Sequence, residues 1–261
     1  MRANACKAKW RAGEPAYGAW LMIPSSISAE AIAHQGFDYV CVDMQHGFID
    51  YSDAMTMLQA ISTTDAMPFV RVPSNEFGII NQMLDAGAMG IIIPMVNSAD
   101  EARAAVSACR YHPEGARSYG PARTIWYAGA DYFERANEEV ACIPMIETAR
   151  AVERLDEILA VPGIDAIYVG PSDLIVTYGQ QPRMDNEGKF EEARIAIAAA
   201  CASRGITAGI HANAGLAAKH RAAGYRMITI SADLSALQQR AAEDLARATL
   251  RESKADTAPA P

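Results

Sequence analysis

Ala166-Ile-Tyr-Val-Gly170 is apolar without interruption, and Gly90-Ile-Ile-Ile-Pro94 reads the same way. Such short continuous runs are the mark of strands covered on both faces, as in a parallel sheet. Working outward, the same kind of run recurs at Ala19–Ile23, Tyr39–Asp43, Phe69–Val72, Cys142–Glu147, Thr207–Ile210 and Met227–Ile230, which makes eight predicted strands. Between them lie helix-like stretches: Ser28–His34, Tyr51–Ser62, Glu76–Asp85, Ala99–Arg110, Ala149–Leu159, Glu187–Ser203, Gly215–Ala223 and Leu234–Arg251. Start signals such as Ser98-Ala-Asp-Glu precede several of them. Eight strands alternating with eight helices predict an α/β fold, a closed (β/α)8 TIM barrel in a single domain over residues 1–252. An open doubly wound sheet is the competitor, but no Gly-x-Gly-x-x-Gly follows the first strand.

Length and charge agree with that reading. The chain has 261 residues, of which 51% are apolar and 21% charged, and its net charge is −8. The length suits one barrel of roughly 250 residues. An acidic chain is poorly suited to nucleic acid or an anionic membrane, and no apolar run approaches the roughly 20 residues of a membrane helix. No apolar stretch follows the basic residues of Met1–Trp10, so no secretory signal is expected there. The five cysteines (Cys6, Cys41, Cys109, Cys142, Cys201) are scattered and form no Cys-x-x-Cys, which points to a reduced cytoplasmic setting. The long segment Tyr111–Asn137 is expected to be an aromatic loop at the C-terminal mouth, as a lid or a subunit contact. Residues 253–261 are expected to form a disordered tail.

Active sites of such barrels gather at the C-terminal ends of the strands, so those positions are a filter for chemistry. They carry Asp43 and His46 after strand two, Arg71 at strand three, Glu147 at strand five, Gly170-Pro-Ser172-Asp173 at strand six, His211 and Asn213 after strand seven, and Ser231 and Asp233 near strand eight. Glu147 and Asp173 are 26 residues apart, one βα unit, and neighbouring strand ends bring such carboxylates within reach of one hard divalent ion. Asp43 shares a turn with His46, where an acid orients an imidazole and raises its basicity. Arg71 closes an apolar run and is expected to meet substrate negative charge. Asp85 ends a helix, where the dipole disfavours it, so it needs a partner, either an arginine or the catalytic histidine. None of the five lysines (Lys7, Lys9, Lys189, Lys219, Lys254) sits at a strand end, which leaves a Schiff-base mechanism without its nucleophile. A metal, an arginine and a base, with no lysine, fit enolate chemistry on a small oxo acid.

Seven motifs in order carry a family resemblance: Asp43-Met-Gln-His-Gly, Phe69-Val-Arg71, Met83-Leu-Asp85-Ala-Gly, Ile93-Pro-Met-Val, Ala99-Asp-Glu-Ala, Pro144-Met-Ile-Glu147-Thr and Gly170-Pro-Ser-Asp173-Leu. From about Gly18 to Leu245 the chain resembles the HpcH/HpaI aldolase family, the class II metal-dependent pyruvate aldolases that include 4-hydroxy-2-oxoheptane-1,7-dioate aldolases. The resemblance implies reversible cleavage of a 4-hydroxy-2-oxo acid to pyruvate, or a related donor such as hydroxypyruvate, and an aldehyde. It implies Mg²⁺, Mn²⁺ or Co²⁺ held by Glu147 and Asp173, and a substrate carboxylate held by backbone amides at Ser172 and Asp173 beside Gly170. It also implies Arg71 as the enolate stabiliser, His46 as the base acting through water, and Asp43 and Asp85 as supports of that histidine. The implied assembly is a homohexamer, a trimer of dimers that exchange the last helix. Two departures stand out: Gln45, where many members have Glu, and Met145, where many have a Gln that touches substrate. His211 is a candidate to face the aldehyde, and Arg117 and Arg123 are candidates to bind an acidic one. The alternatives are an acyl-CoA carbon–carbon lyase of the citrate lyase β-subunit type and a catalytically silent metabolite-binding barrel.

Overall fold

The computed structural model describes residues 1–255, with side chains described through residue 249. Eight parallel strands close in sequence order, each hydrogen-bonded to its neighbours and the last to the first. They are β1 (Ala16–Leu21), β2 (Tyr39–Asp43), β3 (Met67–Arg71), β4 (Gly90–Ile93), β5 (Ala141–Ile146), β6 (Ala166–Val169), β7 (Thr207–His211) and β8 (Met227–Ala232). The helices in chain order are α1 (Ala5–Arg11), α2 (Ser26–Ala33), α3 (Tyr51–Ile61), α4 (Phe77–Ala86), α5 (Ala99–Cys109), α6 (Thr124–Ala128), α7 (Tyr132–Glu139), α8 (Ala149–Glu153), α9 (Leu155–Leu159), α10 (Pro171–Thr177), α11 (Lys189–Ser203), α12 (Ala217–Ala222) and α13 (Asp233–Ala255). No helix among the described residues is long and apolar enough to cross a membrane.

The alternation of strand side chains divides the interior into two cores. Outward residues such as Val40, Val70, Ile91 and Ile167 pack under the helices. Inward residues such as Trp20, Tyr39, Phe69, Ile143 and Tyr168 fill the barrel itself. The inner space is crowded enough to require glycine: a Cβ on Gly18 would sit 2.1 Å from the Tyr39 ring. Cys6 and Trp10 of α1 join this inner core and stopper the barrel's N-terminal end. That helix is absent from the sequence reading because seven residues carry too weak a periodic signal.

Other differences have local causes. β1 starts three residues earlier than expected because Ala16 and Tyr17 pair with Met227 and Ile228 of β8. It ends earlier because the Met22 and Ile23 amides leave the sheet and donate to the Asp233 carboxylate, at 2.9 and 3.2 Å. The expected helix Ala149–Leu159 breaks at Arg154 into α8 and α9. α10 is not among the expected helices, although Pro171 in its first turn is a start signal. α13 runs to Ala255, so 253–255 of the expected tail are helical; 256–261 lie outside the described residues.

The largest correction concerns Tyr111–Asn137. It is not a bare loop, since it forms α6 and α7, and it is not at the C-terminal mouth. A segment that leaves a helix and enters a strand must cross the N-terminal face of the barrel, and this one joins α5 to β5. Its contacts agree. Arg123 donates to the Ala86 carbonyl at 2.6 Å, and Tyr127 donates to the Gly87 carbonyl at 2.8 Å, at the C-terminal end of α4.

Candidate active site

The period of two that fills the barrel also builds its mouth. Tyr39 and Cys41 point inward, so Asp43 does; Met67 and Phe69 point inward, so Arg71 does; Ile143 and Met145 lead to Glu147, and Ala166 and Tyr168 to Gly170. The top inward layer is therefore polar where the layers below are apolar. A pocket of about 230 Å³ opens there, lined by Trp20, Asp43, His46, Arg71, Met145, Tyr168, Gly170, Ser172, Asp173 and His211 among others.

Asp43 and Arg71 form its most tightly specified pair. Arg71 donates from Nε to Oδ1 at 2.8 Å and from Nη2 to Oδ2 at 2.6 Å, a bidentate fork. Trp20 donates its indole N–H to Oδ2 at 3.0 Å, and the guanidinium carbon lies 5.0 Å from the Trp20 ring centroid. Burial alone would raise the Asp43 carboxyl, but the Arg71 hydrogen bonds and charge, with Trp20 and the Gln45 amide, hold it below the ordinary range. Burial lowers the Arg71 guanidinium, yet Asp43 outweighs it and holds the group protonated. Arg71 Nη1 is left without a protein partner among the described residues, which makes it a free donor in the pocket.

This geometry corrects the expected role of Asp43. Its carboxylate accepts the backbone amides of Gln45 and His46, at 3.0 and 3.3 Å, and does not touch the imidazole. It shapes the turn and aims Arg71. His46 is exposed on that turn and lines the pocket. The Gln45 side-chain oxygen is buried without a hydrogen-bond partner.

Glu147 is 1% exposed and sits just behind Gly170. A Cβ on Gly170 would lie 2.7 Å from Glu147 Oε2, so only glycine lets the chain pass that close. The Met95 amide, in a left-handed turn after β4 (φ 58°), donates to Oε1 at 2.7 Å. Burial pushes the Glu147 carboxyl up, the Met95 amide opposes this, Asp173 pushes it further up, and Arg71 offsets part. Two hard carboxylates thus repel each other beside an arginine already committed to Asp43, which is a donor set that fits a divalent cation. No group of three or more His, Cys, Asp or Glu gathers among the described residues. A cation here would take its remaining oxygens from water and substrate, as Mg²⁺ and Mn²⁺ sites commonly do.

Ser172 and Asp173 lie in the first turn of α10, whose early amides have no acceptor within the helix. Met145 puts a buried thioether, not an amide, on the pocket floor. Trp20 and Tyr168 are wall residues that the sequence does not distinguish from ordinary core aromatics, because both lie inside apolar strand runs. Their rings stack at 5.5 Å between centroids and 18° between planes. Asp233 is a clip for the chain after β1 and also accepts the Leu234 amide at 2.7 Å.

Three candidates fall away from the mouth. Asp85, at the C-terminal end of α4, lies on the opposite face and accepts Arg117 at 2.9 Å, so within one chain it does not support His46. Arg117 is buried and donates also to the Tyr132 hydroxyl at 2.8 Å. Arg123 donates to the Ser62 hydroxyl at 2.8 Å, so neither arginine is available to an aldehyde in this pocket.

The chain is similar to known proteins over nearly its whole length. The chain is 39% identical over 247 residues to the hydroxypyruvate/pyruvate aldolase of Rhizorhabdus wittichii, covering 94% of this chain and 98% of the relative. It is 37% identical to the 4-hydroxy-2-oxo-heptane-1,7-dioate aldolase of Shigella flexneri, with 93% and 92% covered. A crystal structure of an HpcH/HpaI aldolase/citrate lyase family protein from Burkholderia cenocepacia superposes with a TM-score of 0.88 at 36% identity, covering 94% of this chain and 99% of that one. The family model for HpcH/HpaI aldolase/citrate lyase matches residues 16–239, from the first residue of β1 into α13. With that span and those identities, the chain belongs to the HpcH/HpaI aldolase/citrate lyase family.

Proposed function

We propose that the protein is a divalent-metal-dependent aldolase. It reversibly cleaves a 4-hydroxy-2-oxo acid to an aldehyde and pyruvate, or a related donor such as hydroxypyruvate. The observation that carries this reading is one small mouth holding both the Asp43–Arg71 fork and the Glu147–Asp173 pair, in a chain of this family.

Glu147 and Asp173 hold the cation, Mg²⁺, Mn²⁺ or Co²⁺. When bound, the metal supplies a Lewis acid that polarises the 2-oxo group and orients the donor. The Ser172 and Asp173 amides bind the donor carboxylate at the start of α10. Arg71, held rigid by Asp43 and Trp20, directs its free Nη1 at the oxygen where enolate charge develops. In the cleavage direction His46, through water, accepts the C4 hydroxyl proton, the C3–C4 bond breaks, and its electron pair becomes the enolate. The aldehyde leaves, and a proton returned to C3 gives the 2-oxo acid. No lysine among the described residues lines the pocket, so those residues offer no amine for an imine route.

We further propose a homo-oligomer in a reducing, cytoplasmic setting. Trp126 (81% exposed), Tyr119 (70%) and Leu245 (67%) are large apolar groups that a subunit partner would cover. The hexamer implied by the resemblance is the assembly we favour. The five cysteines are free and buried.

Pyruvate release from a 4-hydroxy-2-oxo acid, measured before and after chelator treatment, tests the chemistry. The expected result is loss of cleavage and its recovery with Mg²⁺, Mn²⁺ or Co²⁺. Undiminished cleavage by fully metal-stripped protein would contradict it.

A further inference from the structure

His211 ends β7 and stands between two cavities. One is the mouth pocket; the other is a cleft of about 510 Å³ that shares Met184, His211 and Ala232 with it. The polar lining of that cleft, Asn213, Ser231, Ser235 and Gln239, carries no charge.

The ring is the end of a buried chain of hydroxyls. The Tyr39 hydroxyl meets Thr229 Oγ1 at 2.9 Å, Thr229 meets the Tyr168 hydroxyl, and Tyr168 meets His211 Nδ1 at 3.2 Å. Tyr39, Tyr168 and Thr229 are fully buried. Each hydroxyl brings one proton, and there are three links. If every link runs toward His211, each proton has an acceptor: Tyr39 donates to Thr229, Thr229 to Tyr168, and Tyr168 to Nδ1. Any other arrangement strands one hydroxyl proton without an acceptor among the described residues, in a dry interior where that is costly. Nδ1 is then an acceptor, so the proton of the neutral ring is on Nε2. Burial and Arg71 hold the ring neutral, its pKa pushed down to about 4 against the opposing charge of Asp43. Nε2 has no protein partner among the described residues and is not enclosed, in contrast to both ring nitrogens of His220. Trp20 fixes the ring from the side, edge to face at 5.0 Å.

We infer that the Tyr39–Thr229–Tyr168 chain fixes His211 as the Nε2–H tautomer, which donates a hydrogen bond to the acceptor aldehyde and selects uncharged aldehydes bearing a hydroxyl beside the carbonyl. This rests on the aldolase reading, since the acceptor is the partner in that reaction. The uncharged polar cleft beyond His211 accommodates further hydroxyls and offers no cation to an acidic aldehyde.

Two measurements on the full-length, metal-loaded protein test it. Nitrogen-15 NMR of the His211 ring, assigned by loss of its signals in His211→Gln, is expected to show the proton on Nε2 at neutral pH. A proton on Nδ1, or on both nitrogens, would overturn the inference. With pyruvate as donor, the ratio of kcat/KM for glycolaldehyde to that for propanal, its near-isostere lacking the hydroxyl, is expected to be about 3 to 10. It should fall toward one in His211→Leu and drop in Thr229→Val, which cuts the chain. The ratio is internal to each variant, so a general loss of activity cancels. A wild-type ratio near one, or a ratio unmoved in His211→Leu, overturns the inference. Exchange of pyruvate methyl protons with solvent, followed in parallel, separates the two readings. Absent exchange in the metal-loaded wild type defeats the aldolase reading, whereas exchange with an acceptor ratio of one defeats only the role of His211.

Discussion

The two ends of the barrel both bury charge, and they do it differently. At the N-terminal end, Asp165 accepts Lys7 and Arg110, each at 2.6 Å, and the Cys142 amide at 2.8 Å. Asp85 accepts Arg117, which also lies 4.4 Å from the Tyr111 ring centroid. Every acid of these clusters has a cation of its own. At the C-terminal mouth Asp43 has consumed Arg71, while Glu147 and Asp173 face each other with only a share of that charge. Burial by itself therefore does not mark function, since the base is as charged as the mouth. The informative feature is the buried Glu147, set beside the exposed Asp173 with no cation of its own among the described residues.

The largest expected effect is at the mouth. Arg71→Ala should lower kcat for aldol cleavage by about 10²–10³-fold, measured on folded, metal-saturated protein, because the enolate loses its donor. Near-normal turnover would break the distinction between the ends. Next is the base. Asp165→Asn should leave Lys7 and Arg110 buried without an anion and cost about 3–5 kcal/mol in denaturant unfolding. A neutral result would mean that the base pairs are not compensated as described.

The same kind of change at the mouth should have the opposite sign. Glu147→Gln in metal-free protein removes a repelling carboxylate and should raise Tm by roughly 2–4 °C, about 1 kcal/mol for a chain of this size. Destabilisation there would put Glu147 with the structural acids. The smallest effect is in pH dependence. His211 and His220 both have folded pKa values of about 4, lowered by burial first and then by Arg71 and Arg194 respectively, against 6.5 when unfolded. The unfolded chain binds protons first, so their contribution is complete above pH 6.5 and is lost as pH falls from 6.5 toward 4. His211→Leu should flatten part of the fall in Tm across that window, His220 supplying the rest; an unchanged slope would show that His211 is not buried neutral.

Much of this was legible in the sequence, for reasons particular to certain residues. Continuous runs such as Gly90–Ile93 are the mark of strands buried on both faces, as in a parallel sheet, and eight of them close a barrel. Strand alternation then carries Asp43, Arg71 and Glu147 to one mouth, so charged ends of apolar strands were readable as a site. Asp85 was readable as a residue in need of a partner, and it has Arg117. Which end of the barrel that pair occupies required the topological point that a helix-to-strand connection crosses the N-terminal face. The partner of Asp43 was not readable, because adjacency favours His46 while the interior geometry favours Arg71, 28 residues on. The hydroxyl chain was hidden for the same reason: Tyr39, Tyr168 and Thr229 are far apart in sequence and look like ordinary strand residues.

Titration of Mn²⁺ into metal-stripped protein, read by direct binding, tests most directly whether uncompensated charge defines the site. The expected result is one ion per chain, little binding in Glu147→Gln/Asp173→Asn, and preserved binding in Asp85→Asn, whose acid belongs to the compensated end. Undiminished stoichiometric binding in Glu147→Gln/Asp173→Asn would contradict it.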